Sequence, residues 1–262
     1  MLLSCALALA ADPPPPVKVA IVAPAEIVPG GTAPVAIVVS VPPGWHIYWE
    51  NPGQSGLPTD VRLQAQGDLA SAKGDRPRPG TPSVAAGPRF PTPIRFAADG
   101  LVNYGYEGDT AFLFDVSAPG NAPVTLDAAV SWLLCRDICV AGSGVAHATI
   151  AVLAAARAPD RSSDPVAPYV ARLPAAFATS GGTVTRADGT LRLTLPGPGP
   201  FDLFPSIPLE GAWAPVVTTA ADGSLLVESP LPAAPDGARL VLTRGAGASR
   251  QGYVLDLTEP RP

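Results

Sequence analysis

The sequence predicts an all-β chain folded as two β-sandwiches in tandem, and three observations carry that prediction. The chain has 34 prolines and 26 glycines among 262 residues, which excludes long uninterrupted helices, because proline breaks the helical hydrogen-bond ladder and glycine loses backbone entropy there. A content of 47% hydrophobic residues is too high for a disordered chain and supplies a packed core. Short apolar or alternating runs recur at regular spacing with turn residues between them, the pattern of a sandwich. The length fits two domains of ordinary size.

In chain order, Met1 to Ala10 reads MLLSCALALA, an apolar run ending in small residues, like the second half of a secretory signal. Export to the periplasm is therefore expected, with Cys5 as an alternative site of lipidation. No later window reaches the roughly 20 apolar residues a membrane span requires without a Pro, a Gly or a charge. After the Pro13 to Pro16 linker, strands are expected at Val17 to Ala23 and Ala33 to Val41, parted by the turn Pro29-Gly30-Gly31. Further strands are expected at Trp45 to Trp49, Val61 to Gln64, Ala111 to Val116, Val124 to Leu134 and Val145 to Leu153. Ala70 to Pro93 is proline-rich and aperiodic, which predicts a long loop or flap.

The stretch from Ala154 through Pro168 reads as a linker, with one helical turn near Val166 to Leu173. Strands then resume as Thr183 to Arg186 and Leu191 to Leu195 around Asp188-Gly189, and Val216 to Thr219 and Leu225 to Glu228 around Asp222-Gly223. Both Asp-Gly pairs are hairpin signals. Arg239 to Thr243 and Tyr253 to Leu257 complete a smaller sheet. The domain plan is thus 1–16 for signal and linker, 17–155 for the first sandwich and 165–262 for the second.

Composition narrows the function classes. The net charge is −5, and the 15 arginines with Lys18 and Lys73 are scattered, so no basic stripe exists to follow a phosphate backbone and nucleic acid is not an expected partner. Two histidines and one methionine leave little for a His- or Met-lined metal cage; neither a metal nor a cofactor is expected.

The chemistry gathers at Trp132-Leu133-Leu134-Cys135-Arg136-Asp137-Ile138-Cys139. Four residues of straight strand span about 13 Å, well beyond a disulfide's roughly 4.4 to 6.8 Å Cα separation, so the chain must fold back between the cysteines. A three-residue hairpin loop over Arg136-Asp137-Ile138 does this, as would one helical turn; the flanking apolar runs favour strands. An exported pair of this kind suggests a disulfide. So small a ring gains on the order of 2 kcal/mol in the chain-entropy model, little for a structural staple, whereas a short-loop disulfide opens readily by thiol exchange. Arg136 would favour the Cys135 thiolate and Asp137 would oppose it.

Around this pair, Trp45, Ile47 and Trp49 alternate with His46, Tyr48 and Glu50, which places the tryptophans on a core face. His46 is a candidate proton acceptor near the cysteines, against a plain structural role. Asn51 to Pro58 is a Gly/Pro-fixed loop, either a rigid turn or a direct partner contact, Trp132 is core beneath the cysteines, and His147 has no assigned role.

Three separated motifs carry a resemblance. Gly44-Trp45-His46-Ile47-Tyr48-Trp49-Glu50-Asn51-Pro52-Gly53-Gln54-Ser55-Gly56-Leu57-Pro58, then Asn103-Tyr104-Gly105-Tyr106-Glu107-Gly108, then the cysteine segment resemble in order and spacing the amino-terminal periplasmic region of thiol:disulfide interchange proteins of the DsbD type, in particular the branch called suppressor of copper sensitivity protein B. The resemblance covers about residues 17 to 155. Over 165 to 262 it rests on Phe201-Asp202-Leu203-Phe204-Pro205 and the terminal strand pattern. It implies an immunoglobulin-like first domain, hence two immunoglobulin-like β-sandwich domains in tandem, with Cys135 and Cys139 as the catalytic pair.

It further implies that the pair takes electrons from a membrane-embedded transporter and hands them to thioredoxin-like periplasmic oxidoreductases. Tyr104 and Tyr106 fall where that family carries a cap loop shielding the pair, and aromatic rings do pack favourably on sulfur. The family's membrane and thioredoxin-like domains do not follow within the sequence, which runs to Pro262, so either they are separate polypeptides, with a separate membrane electron-transporter as the expected partner, or the pair no longer serves the full relay. Two rival functions stay open: an exported protein-binding sandwich with a structural disulfide, and a Cu(I)-handling protein using both thiolates.

Overall fold

The structure is a computed structural model that describes residues 15–66, 82–98, 100–153, 164–208, 216–230 and 237–258. The signal segment Met1 to Ala10 with Cys5, the start of the Pro13 to Pro16 linker, most of the expected flap and the linker residues 154–163 lie outside the described residues.

The first sandwich is built from β1 (Lys18–Val22), β2 (Glu26–Ile27), β3 (Gly31–Ser40), β4 (His46–Gly53), β5 (Asp60–Ala65), β6 (Ser83–Arg89), β7 (Ile94–Ala98), β8 (Leu101–Glu107), β9 (Asp109–Ala118), β10 (Val124–Cys135) and β11 (Cys139–Val152). One sheet runs β1-β3-β9-β6; the other runs β2-β11-β10-β4-β8-β7, with β5 also pairing β10. Period-two alternation decides which side chains go inside. On β10, Val124, Leu126, Ala128, Val130, Trp132 and Leu134 point inward; Val35, Ile37 and Val39 on β3 and Phe112, Phe114 and Val116 on β9 meet them from the facing sheet. Trp45, Ile47 and Trp49 join this core, as the sequence predicts.

The structure differs from the sequence prediction between residues 82 and 107. Strand β6 occupies part of the expected flap, pairing β9 with shifted register, and β7 and β8 form a hairpin where no strand was expected.

The second sandwich follows a short helix α1 (Ala167–Val170), which falls where one helical turn was expected. Just before it, Val166 is fully buried against Ala36, Val38, Ala111 and Leu113, which fastens the connection to the outside of the first sheet. The later strands are β12 (Ala175–Ala176), β13 (Thr183–Ala187), β14 (Thr190–Leu195), β15 (Phe201–Pro205), β16 (Val216–Thr219), β17 (Leu225–Pro230), β18 (Arg239–Arg244) and β19 (Gln251–Asp256). They form the sheets β12-β19-β18-β15 and β13-β14-β17-β16, closed over Leu191, Leu193, Leu195, Leu225, Val227, Leu240, Leu242 and Tyr253. Asp188 (φ 53°) and Gly189 (φ 70°) make the two-residue turn between Ala187 and Thr190, the double left-handed conformation that Asp-Gly adopts most easily.

The two sandwiches share buried surface. Phe204 of β15 and Val241 of β18 pack within the first core, and the rings of Trp49, Tyr104 and Phe204 meet edge to face at 5.2 to 6.4 Å. Asn51 Nδ2 donates to the Pro205 carbonyl at 2.8 Å. Arg239 is paired with Glu50, and Arg250 donates to the Pro93 carbonyl while lying over the Phe204 ring.

Candidate functional site

Cys135 ends β10 and Cys139 begins β11, and the two strands pair without a break from Val124 and Ile150 up to the cysteines themselves. The loop Arg136-Asp137-Ile138 closes with a hydrogen bond from the Arg136 amide to the Ile138 carbonyl, 3.1 Å. The cysteines stand directly opposite with Cα atoms 4.2 Å apart and are joined as a disulfide. Their exposure differs sharply. Cys135 is 2% exposed, whereas Cys139 lies open on the edge of the hairpin. Of the two cysteines, Cys139 is the one open to an incoming macromolecule.

The Arg136 guanidinium is held by two neighbours. It lies over the Trp45 ring, 4.9 Å from its centre, and Nε donates to the Asp137 carboxylate at 2.8 Å. The two charges whose opposing effects on Cys135 were expected from sequence are thus largely spent on each other.

Alternation fixes what shares a face with the disulfide. Cys135 is the ladder partner of His46 on β4, and His46 in turn is the partner of Glu107 on β8. These three therefore project from the outer face of the sheet, opposite to Leu134, Ile47 and Tyr106, which face the core. The His46 ring lies tilted at 46° against Phe96, 4.2 Å between centres, and meets Tyr48 edge-on at 5.3 Å. Half-buried, His46 is pushed below the ordinary imidazole pKa by desolvation, against the upward pull of the Glu107 carboxylate.

Tyr104 and Tyr106 do not sit on the sulfurs' side. Tyr106 is 4% exposed within the core, edge-on to Phe112, and its hydroxyl donates to the Pro91 carbonyl at 2.9 Å. Tyr104 packs against Trp49 and Phe204 at the junction. The expected cap is corrected accordingly: on β8 the residues in phase with the cysteine row are Asn103, Gly105 and Glu107, so the intervening tyrosines point inward. Among the described residues, the aromatic rings gathered around His46 on the sulfurs' face are Phe96 and Tyr48, and nothing in the residue pattern marks Phe96 in advance.

The Asn51 to Pro58 loop is a rigid support. Gly53 N donates to Asn51 Oδ1 at 3.1 Å, Ser55 donates from its amide and hydroxyl to Asn103 Oδ1 at 2.9 Å, and Gln54 Oε1 accepts from Val102 N at 2.7 Å. Gly56 (φ +93°) is pressed against the Tyr48 ring, where a Cβ would stand 2.4 Å from ring carbons. His147, given no role from sequence, pairs with Asp127 on the exposed face at 2.5 Å. Among the described residues no group of three or more His, Cys, Asp and Glu side chains is placed to hold a metal ion, and no helix is long and apolar enough to cross a membrane.

Comparison with known proteins follows the same lines. The family model described as thiol:disulfide interchange protein DsbD, N-terminal, matches residues 14–149. Among solved structures, the crystal structure of the N-terminal periplasmic domain of ScsB from Proteus mirabilis is similar, with a TM-score of 0.57 and 14% identity over 93% of this chain and 92% of that one. At this identity the likeness is one of fold, and it spans both sandwiches. Comparison with curated proteins returns no match.

Proposed function

The chain belongs to the family of the N-terminal region of thiol:disulfide interchange protein DsbD, and from that premise we propose that it is a periplasmic exchange module whose Cys135/Cys139 pair relays electrons between a membrane electron-transporter and thioredoxin-like oxidoreductases. The observation that carries this reading is the asymmetry of the pair, with Cys139 open and Cys135 buried. In the reduced protein the Cys139 thiolate attacks a partner's disulfide, one partner sulfur leaves as thiolate, and a mixed disulfide forms at Cys139. Cys135 then attacks Cys139, restoring the internal disulfide and releasing the partner's second sulfur; two electrons have passed to the partner.

The β10–β11 ladder supports the cycle because it brings the two cysteines opposite each other at the end of a long run of paired backbone. A disulfide that does little for the fold is free to open and close.

The test is equilibration with glutathione buffers together with trapping. A potential above about −300 mV, and a Cys135→Ser variant that accumulates a mixed disulfide with a thioredoxin-like protein, are the expected results. A potential well below that value with no trapped adduct would overturn the reading in favour of a structural disulfide.

A further inference from the structure

Three adjacent strands place a thiol, an imidazole and a carboxylate in one line. Cys135 on β10, His46 on β4 and Glu107 on β8 are successive ladder partners, and directly opposed residues on antiparallel strands stand with Cβ atoms roughly 4.5 to 5.5 Å apart, on one face. The imidazole is held in place by Phe96 on one side and Tyr48 on the other. Such fixation is what a group that must meet a proton at a set position requires.

Resting on the exchange reading above, we infer that His46 accepts the Cys135 proton during resolution of the mixed disulfide, with Glu107 as a positioning residue that steadies the imidazolium. Cys135 is the sulfur that needs this help. Buried at 2% exposure, Cys135 has little water at hand to take its proton, and the Arg136 guanidinium is turned onto Trp45 and Asp137. The exposed Cys139 can lose its proton to solvent; Cys135 requires a neighbour.

The step balances as follows. The Cys135 S–H proton passes to the free imidazole nitrogen, the Cys135 Sγ–Cys139 Sγ bond forms, the bond from Cys139 Sγ to the partner sulfur breaks, and the partner leaves as a thiolate. The cysteine pair is oxidised by two electrons and the partner is reduced by two. In the opposite direction the imidazolium returns its proton to the Cys135 thiolate as that sulfur leaves.

The titratable groups facing His46 are Cys135 from β10, Glu107 from β8 and Tyr48 from its own strand; β7 contributes the uncharged Phe96. Desolvation favours the neutral, proton-accepting form of the ring, and the Glu107 carboxylate across the strand pulls the other way.

The experiment is a single-turnover reaction of the reduced full chain with oxidised glutathione, separating formation of the mixed disulfide from its resolution by quenched alkylation and mass spectrometry across pH. In the unmodified protein the resolution rate should show an inflection in the imidazole range. His46→Gln should slow resolution at least tenfold near neutral pH and erase that inflection, while mixed-disulfide formation changes less than twofold. Glu107→Gln, at an exposed position, should fold normally and move the inflection to lower pH, since the carboxylate's upward pull is gone.

A resolution rate without the inflection in the unmodified protein, or a His46→Gln rate and profile like the original, would overturn the role of His46 while leaving the exchange reading intact. Failure of the unmodified protein to form any mixed disulfide would overturn the exchange reading, and this inference with it.

Discussion

Arg239 Nη2 spans both carboxylate oxygens of Glu50, at 2.9 and 2.7 Å, across the junction of the two sandwiches. Glu50 follows Trp49, in the core, and precedes Asn51, bonded to the Pro205 carbonyl. One end of β4 therefore lies beside the disulfide through His46, and the other is fixed to the second sandwich.

Breaking this pair should loosen the junction. Arg239→Ala strands a carboxylate that is only 22% exposed, and the expected loss is about 1–2 kcal/mol, between the values for exposed and fully buried pairs. Denaturant titration of the variant against the original chain measures it.

The same pair has a pH signature. Burial pushes the Glu50 carboxyl above its ordinary value of 4.5 in spite of the guanidinium. A raised folded-state pKa means the native chain binds this proton more tightly than the unfolded chain. The group's contribution is thus greatest below about pH 4.5 and declines as pH rises through the folded value. Glu50→Gln should flatten that decline in a series of denaturant melts across the window.

Reducing the disulfide should barely disturb the fold. The bond closes a ring of only a few residues at the end of a ladder that runs back to Val124 and Ile150, so the cost is on the order of 2 kcal/mol or less. Thermal melts with and without reductant should differ by only a few degrees; unfolding on reduction would show that the bond holds the hairpin together.

Trp132 is seated over two glycines of β11. A Cβ at Gly142 would stand 2.6 Å from the indole nitrogen, and one at Gly144 would stand 3.2 Å from its ring. Gly142→Val should cost about 1–3 kcal/mol by overpacking and change the tryptophan fluorescence.

Tyr106 should behave as a core residue. Tyr106→Phe removes the hydroxyl that donates to the Pro91 carbonyl, a loss of about 1 kcal/mol, and Tyr106→Ala should cost about 3–5 kcal/mol. Equilibrium unfolding of the two variants checks both values.

The hairpin and its cysteines were legible because Val124 to Leu134 alternates cleanly and two cysteines four residues apart admit few geometries. The alternation of Trp45, Ile47 and Trp49 likewise placed the core face of β4 correctly. The phase of β8 was not legible. Tyr104-Gly105-Tyr106 reads as an aromatic motif, yet Gly105 is required because a Cβ there would meet the Ile47 carbonyl oxygen, and the tyrosines thereby fall on the core side. Strand β6 was hidden for another reason: Ser83–Arg89 is half exposed and pairs irregularly with β9, so no periodic signal survives in its sequence. Glu107 and His46 are far apart in the chain, and only strand pairing makes them neighbours.

Phe204 lies on β15 of the second sandwich, yet it packs in the core of the first. During synthesis the first sandwich can pair its strands once β11 has emerged, but Trp49 and Tyr104 keep an open apolar flank until the chain has advanced through β15. That sticky intermediate must survive while the next fifty or so residues arrive. Arrival of Phe204 covers that flank, so the second sandwich completes the core of the first.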